Sequence, residues 1–190
     1  MKTLGSTLVV LLLLAGLTLI GYARWTAPLR DADAALADGR LDQAIAGYQQ
    51  AEARFDTIPA MKQAVTSEYL RAIGNHLWAL YRLKRYDDVI DLAQKVPTEA
   101  SPHFWSACAL FQKALVEESP EARLGWLTRA EEEFRKAVET DPEDWDTKFD
   151  FELTTRLSDA LRKQPNTPPK QMMQLLRPPT PGAKPPRRVG

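Results

Sequence analysis

The chain opens with an unbroken apolar segment. Residues 3–23 contain no charged side chain and include eight leucines. A helix of that length rises about 30 Å, at about 1.5 Å per residue, which matches the hydrocarbon core of a bilayer. The segment therefore predicts an N-terminal transmembrane anchor that contacts membrane lipid. The sequence Gly21-Tyr22-Ala23 leaves a second interpretation open, because it resembles the cleavage site of a signal peptide.

Helical periodicity follows in the body of the chain. From Asp31 to about Lys163, apolar residues recur at helical spacing, with almost none of the alternation that is typical of strands. Three predicted helix starts place an N-cap oxygen directly before a proline, at Ser101, Ser119 and Asp141. The body, residues 24–163, is therefore predicted to be all-α.

Three segments of the body resemble the turn and second helix of a tetratricopeptide (TPR) repeat. They cover 37–51, 83–93 and 130–142, with small and aromatic residues at the spacing of that family. Gly39 allows the chain to reverse in the first of them. The interval between the first two segments is long, so 54–67 is predicted to be an inserted loop or an extension of the helix. The resemblance implies a short, irregular array of three antiparallel helical hairpins.

The final helix is predicted to run from Glu143 to about Lys163. An apolar residue stands at every fourth position, which predicts one apolar stripe along an otherwise charged rod. The expected role of this stripe is to cap the array by covering the last hairpin. Its residues are Trp145, Phe149, Leu153, Leu157 and Leu161.

Composition narrows the function classes. The 190 residues carry 25 basic and 25 acidic side chains and no formal net charge, which argues against nucleic-acid binding. The single cysteine excludes a disulfide framework and a multi-thiolate metal site, and two histidines leave little for metal or acid–base chemistry. His76 and His103 are interpreted as structural, Cys108 as a buried inert thiol, and 141–146 as a helix cap rather than a calcium loop. We expect no enzymatic activity, no cofactor and no metal.

The C-terminal segment, residues 164–190, differs from the body in charge. It carries five basic residues, no acidic residue and eight of the fourteen prolines. Such a composition predicts an extended, disordered basic tail. Gln171–Leu176 is an apolar island within it. Two interpretations of the island stay open: it docks on a partner or on the array, or its apolar residues are incidental.

A binding groove is the favoured candidate site. In TPR proteins, fixed positions of each first helix line a concave surface, and those positions are carried over residue by residue. Aromatic rings beside guanidinium groups suit an extended peptide with acidic side chains or a free carboxylate. The alternative is that the tryptophans pack between hairpins. The predicted protein-binding residues are Arg71, Trp78, Tyr81, Arg82, Trp105, Gln112 and Lys113.

The anchor, the short array and the closing segment Asp141–Leu157 together resemble a family of small membrane-bound TPR proteins. These proteins are encoded beside MoxR-type AAA+ ATPases and von Willebrand A-domain proteins, and the layout is most similar to the MxaK accessory proteins of bacterial methanol oxidation. The resemblance implies a single-pass protein of the bacterial inner membrane with a periplasmic body. It also implies a role in assembling or maturing a calcium- and quinone-dependent methanol dehydrogenase. The ATPase, the A-domain protein or the dehydrogenase would be its partner.

Two function hypotheses follow. The first is a non-catalytic protein-binding scaffold or assembly factor at the inner membrane. The alternative is an envelope-biogenesis or structural protein that contacts membrane or wall polymer through its anchor and basic tail. Charge leaves the orientation open, because Arg24, Arg30 and Arg40 follow the apolar segment and favour a cytoplasmic body. A short N-terminus before a signal-like segment favours export instead.

Overall fold

The computed structural model describes residues 2–96 and 100–164, together with Pro168 and Gln171. Over these residues the chain forms nine α-helices and no strand, which confirms the predicted all-α class. Apart from Gln164, Pro168 and Gln171, the predicted basic tail lies outside the described residues. The helices are α1 Lys2–Trp25, α2 Ala27–Ala37, α3 Leu41–Thr57, α4 Pro59–Ala64, α5 Thr66–Arg82, α6 Tyr86–Lys95, α7 Ala100–Val116, α8 Pro120–Thr140 and α9 Trp145–Lys163.

The chain divides into two compact units, Met1–Asp88 and Val89–Gly190. The first unit contains α1 to α5, and the second contains α7 to α9, with the division inside α6. In the first unit α3 packs against both α2 and α5, and in the second α8 packs against both α7 and α9. Each unit therefore has one central helix with two principal neighbours.

The large apolar side chains of α1 between Leu11 and Ile20 are exposed. Leu17 and Leu19 are 66% and 68% exposed. Within the described residues no single helix is both long and apolar enough to cross a membrane, whereas the bent pair Leu11–Trp25 and Ala27–Ala37 meets those requirements. The transmembrane anchor over residues 3–23 therefore stays a prediction.

The C-terminal end of α1 is joined to the rest of the first unit. The Trp25 ring meets the Phe55 ring edge-on, with centroids 4.9 Å apart. The Arg54 guanidinium on α3 donates to the backbone oxygen of Arg24 at 3.0 Å, which satisfies one of the carbonyls that a helix end leaves without an intrahelical partner. The Tyr22 hydroxyl also donates to the Glu68 carboxylate at 3.3 Å. Helix α1 thus makes specific contacts with α3 and α5.

Two turns of the first unit share one geometry. Gly39 after α2 has φ +73°, and Lys84 after α5 has φ +59°. In each turn the N–H of the following residue donates back to a carbonyl five positions earlier, from Arg40 to Ala35 at 2.9 Å and from Arg85 to Leu80 at 3.0 Å. This is the Schellman ending of a helix. The predicted reversal at Gly39 is confirmed.

Of the two structures predicted for part of 54–67, the extension of the helix is confirmed, and the inserted loop is replaced by a short helix. Helix α3 extends to Thr57, and the short helix α4 follows over Pro59–Ala64. Helix α5 then begins at Thr66. The added length between the first two turns is therefore mostly helical.

The second unit confirms one predicted helix start. The Ser119 hydroxyl accepts a hydrogen bond from the backbone N–H of Ala122 at 3.3 Å, with Pro120 as the first residue of α8. Arg123, 1% exposed, donates to the backbone oxygens of Glu117 and Glu118 at 2.9 and 3.2 Å. The buried guanidinium thus satisfies carbonyls of the connection that follows α7.

Two other predicted caps are wrong. Helix α7 begins at Ala100, so Ser101 lies inside its first turn instead of capping it. Asp141 follows the last residue of α8, and Asp144 caps α9 by accepting from the N–H groups of Asp146 and Thr147 at 3.0 and 3.3 Å. Helix α9 therefore begins at Trp145 rather than at Glu143. The segment 141–146 does act as a cap, as predicted, but through its second aspartate.

The predicted apolar stripe of the final helix is only half buried. Leu157 and Leu161 join Ala114 and Leu127 in the core of the second unit. Trp145 and Phe149 are 75% and 65% exposed. Successive residues of a helix are rotated by about 100° around its axis. Residues four positions apart are therefore offset by about 40°, and after four such steps Leu161 lies about 160° from Trp145. The capping role therefore applies only to the C-terminal half of α9.

Candidate functional site

Helix α5 places three predicted binding residues on one side. Arg71, Trp78 and Arg82 stand at positions i, i+7 and i+11, which fall within about 40° around the helix axis. The Arg82 guanidinium lies 5.2 Å from the centre of the Trp78 ring, a cation–π distance. Tyr81 is turned away by about 100° from Arg82, and its ring lies 5.7 Å from that of Tyr86.

Arg71 belongs to a network that joins α2, α3 and α5. Its guanidinium pairs with the Asp33 carboxylate at 3.3 Å. The other oxygen of Asp33 accepts from the Tyr48 hydroxyl at 2.8 Å and from the Asn75 amide at 3.1 Å. Burial, and then the bond to Asp33, raises the pKa of the Tyr48 phenol well above its ordinary value. Arg71 therefore forms an ion pair that links α5 to α2, whatever else it binds.

The other three predicted residues lie on α7, in the second unit. Trp105 and Gln112 are half-buried and seven positions apart, so they share one side of the helix. The Trp105 ring meets the neighbouring Phe104 ring edge-on at 5.1 Å. Lys113 lies about 80° around from Trp105, and its ammonium group stands 4.4 Å from the ring of Trp126 on α8. The assignment of these seven residues to one groove stays a prediction.

Helix α9 buries three hydroxyl side chains beside its two core leucines and exposes two aromatic rings. Thr147, Thr154 and Ser158 are at most 2% exposed, whereas Trp145 and Phe149 face outward. Burying apolar surface is the main source of favourable free energy in packing. The two aromatic rings therefore contribute little of that free energy within the second unit. We define Trp145 and Phe149 as the aromatic patch. Sequence reasoning missed it by assigning both residues to the core, although the 40° drift of the stripe was the available signal.

Charged groups of both signs stand near the aromatic patch on α9. Burial, followed by repulsion from Asp146 and Asp144, raises the pKa of the Asp150 carboxyl above its ordinary value. The Lys148 ammonium group lies 4.4 Å from the Trp145 ring and provides a local positive charge. Glu152, one turn after Lys148, is paired with Arg156, so the charges around the patch are mixed in sign.

Both histidines pair with a carboxylate from another helix. His76 Nδ1 lies 2.7 Å from Glu52 Oε1, and His103 Nδ1 lies 2.7 Å from Glu133 Oε2. Burial by itself would raise the pKa of Glu133, but hydrogen bonds from His103 and Lys136 outweigh it and hold that pKa below its ordinary value. Sequence reasoning found no partner for His103, because Glu133 is 30 residues away along the chain.

A cavity of about 630 Å³ lies beside the second pair. Its lining includes the side chains of His103, Glu133, Lys136 and Arg162. Lys136 Nζ is 2.8 Å from Glu133, and Arg162 is 3.8 Å from the Glu131 carboxylate. Lys136 and Arg162 thus have partners within the lining itself, which reduces their capacity to bind a charged ligand.

Groups that support catalysis are scarce in the part of the chain that the structure describes. No cluster of three or more histidine, cysteine, aspartate or glutamate side chains there can hold a metal ion. Burial, followed by repulsion from Asp150, raises the pKa of the Cys108 thiol to about 12, so it is protonated and unreactive at neutral pH.

A comparison of the chain with known protein families, with curated proteins and with solved structures finds no match. The functional assignment therefore depends on the geometry of α5, α7 and α9 and on the exposed apolar surface of α1.

Proposed function

We propose that this protein is a non-catalytic, membrane-tethered adaptor that binds a protein partner through α5. The observation that carries the proposal is the pairing of Trp78 with Arg82 at 5.2 Å on one side of that helix. An aromatic ring with a guanidinium group above it offers both a flat apolar contact and a donor fork for carboxylates. The favoured partner is an extended peptide that carries acidic side chains.

The exposed leucines of helix α1 support the proposed attachment to the membrane. The leucines of this helix between Leu11 and Leu19 are more than half exposed, and burial of such side chains in hydrocarbon is strongly favourable. The contacts of Arg54 with the end of α1 connect this helix firmly to the first unit. We place the anchor in the bacterial inner membrane and the body in the periplasm, as the resemblance to the MoxR-associated family implies.

A degenerate TPR array is supported by the two Schellman turns. Gly39 and Lys84 occupy equivalent positions 45 residues apart, each after a helix that is followed by another helix. The spacing exceeds the regular repeat of about 34 residues, and α4 occupies part of the difference. A MoxR-type AAA+ ATPase, a von Willebrand A-domain protein or a methanol dehydrogenase as the client rests on the family resemblance alone.

The test is affinity purification of the full chain from gently solubilised membranes, followed by mass spectrometry. The variant Arg82→Glu is expected to reduce recovery of the partner at least tenfold. The matched control is Arg129→Glu, because Arg129 lies over Trp126 at 5.0 Å in a similar cation–π pair on α8. Arg71 is not a suitable test residue, since its substitution disturbs the Asp33 network.

Each outcome has a defined meaning. Loss of an identified partner with Arg82→Glu but not with Arg129→Glu supports the α5 site. Equal recovery with both variants contradicts it. Recovery of lipid or wall polymer without a protein partner favours the envelope-biogenesis alternative.

A further inference from the structure

Helix α3 runs antiparallel to α2 and returns to the end of α1. Gly47 lies directly against Ala32, and further along α3 the Phe55 ring meets the Trp25 ring at 4.9 Å. The residue numbers therefore rise along α3 by about as much as they fall along α2 and α1. Continued to the residue that follows α3, this register brings Ile58 level with the last turn of α1.

Side chains of α2 and α3 bind the backbone at the end of α1. The Arg54 guanidinium on α3 donates to the carbonyl oxygens of Arg24 and Trp25 at 3.0 and 3.4 Å. The Arg30 guanidinium on α2 donates to the carbonyl oxygen of Ala23 at 3.1 Å. The last carbonyls of a helix have no intrahelical partner and lie at its negative end, so both cations are favourably placed. A bilayer that contains α1 therefore meets the surface that these residues form.

This surface combines one apolar side chain with three basic ones. Ile58 is 46% exposed. Arg24, Arg30 and Arg54 form no ion pair with a carboxylate in the part of the chain that the structure describes. We define these four residues as the juxtamembrane surface. Its chemistry fits lipid headgroups, because guanidinium groups bind phosphate oxygens and an apolar side chain gains free energy by leaving water.

The acidic groups nearest the juxtamembrane surface have partners or lie farther from α1. The Asp56 carboxylate pairs with the Lys62 ammonium group at 2.8 Å. The Glu68 carboxylate accepts from the Tyr22 hydroxyl at 3.3 Å. Asp31 lies in α2, about 9 Å past the end of α1 along the axis. At the level of the last turn of α1, the charge without a carboxylate partner is therefore positive.

We propose that the juxtamembrane surface rests on the bilayer, with the Ile58 side chain among the lipid headgroups and the three guanidinium groups beside lipid phosphates. This rests on the proposed insertion of α1 in the membrane. Tyr22 and Trp25 lie at the same level of α1, and such aromatic side chains favour the boundary between membrane and water. The first unit is then held against the membrane surface instead of swinging freely on its anchor.

The test is electron paramagnetic resonance of the full chain in vesicles of phosphatidylcholine and phosphatidylglycerol. Cys108, the single cysteine of the chain, is replaced by alanine, so that a nitroxide label attaches only at an introduced cysteine. The ratio of the label's accessibility to oxygen and to a water-soluble nickel complex rises with its depth in the bilayer. Ile58→Cys reports on the juxtamembrane surface, and Leu17→Cys reports on the anchor.

Asp42→Cys is the matched control. Asp42 is exposed near the start of α3, 16 residues before Ile58, which corresponds to about 24 Å along the helix axis. The accessibility ratio at position 58 is expected to exceed that at position 42 at least threefold. Adding Arg54→Gln should lower the ratio at position 58 at least twofold, because it removes the bonds to the end of α1. Arg40→Gln, at the other end of α3, should leave it unchanged.

Each outcome decides the proposal. Equal ratios at positions 58 and 42, with position 17 in the hydrocarbon core, overturn it and leave the anchor intact, and the surface then faces water or a protein partner. A ratio at position 17 that indicates water overturns both the anchor and the proposal. Equal effects of Arg54→Gln and Arg40→Gln contradict the attachment of α3 to the end of α1.

Discussion

Replacing Gly47 by alanine tests how closely α2 and α3 approach each other. A methyl group at this position would lie 2.8 Å from the Ala32 Cβ atom and 3.2 Å from its Cα atom. The second distance involves backbone, so relief requires α2 to move. Alanine gains about 1 kcal/mol over glycine inside a helix, while overpacking costs about 1–3 kcal/mol. The expected net effect on the first unit ranges from no change to about 2 kcal/mol of destabilisation.

Gly125→Ala is the matched control. Gly125 is exposed inside α8, and a methyl group there meets nothing within 4 Å. The substitution is expected to stabilise the second unit by about 1 kcal/mol through helix propensity alone. The difference between the two variants, each measured in its own unit, therefore isolates the packing cost of about 1–3 kcal/mol.

Native-state hydrogen exchange with mass spectrometry is the assay, because peptides from each unit report their own free energy of opening. The full chain is measured in detergent micelles. Adding Ala32→Gly to Gly47→Ala removes the shortest contact, so the two substitutions together should cost less than the sum of their separate costs. If Gly47→Ala stabilises its unit as much as Gly125→Ala stabilises the other, the close approach of α2 and α3 is wrong.

Three further predictions concern the turns, the Asp33 network and Asp150. Lys84→Gly should stabilise the first unit and Gly39→Ala should destabilise it, each by about 1 kcal/mol in hydrogen exchange. The reason is that a positive φ strains any residue with a side chain. Changes of the same sign in both variants would contradict this. Asp33→Ala should lower the free energy of opening of the first unit by about 1–3 kcal/mol in the same assay, because it leaves the buried Tyr48 hydroxyl without its acceptor. Unchanged exchange protection of α2 would refute the network. Burial and neighbouring acidic groups raise the pKa of Asp150, so its ionised form opposes folding at neutral pH. Asp150→Asn should therefore raise the urea midpoint at pH 7, and the gain should disappear as the pH falls below the ordinary aspartate pKa of about 3.9. A gain that is independent of pH would show that the charge is not the cause.

Features set by a few neighbouring residues were predictable from the sequence. The cap at Ser119 and the reversal at Gly39 each involve side-chain or backbone groups within five positions. The same reasoning failed at Asp141, because Asp144 lies three residues later and offers an equally good oxygen. Where two residues can cap, the register of the helix against its neighbour decides between them, and a local pattern does not contain that register.

In the candidate site, too, contacts within one helix were visible in the sequence and contacts between helices were not. Trp78 and Arg82 meet because they are four positions apart on one helix, which is visible in the sequence. The pairing of Arg71 with Asp33 joins residues 38 positions apart, and it gives Arg71 a partner inside the first unit. Neither the Asp33 network nor the partner of His103 has a sequence signal of its own.

The sequence by itself determined the helical class, the uncharged N-terminal segment, the basic tail and the turn at Gly39, since each depends on composition, periodicity or local backbone preference. Only the tertiary structure decided which face of each helix is covered. Helix α9 buries Thr154 and Ser158 and exposes Trp145, against the order of hydrophobicity. The reason is that burial is decided by the whole helix: Leu157 and Leu161 direct one face towards Ala114 and Leu127, and the 3.6-residue turn of the helix then leaves Trp145 on the opposite side.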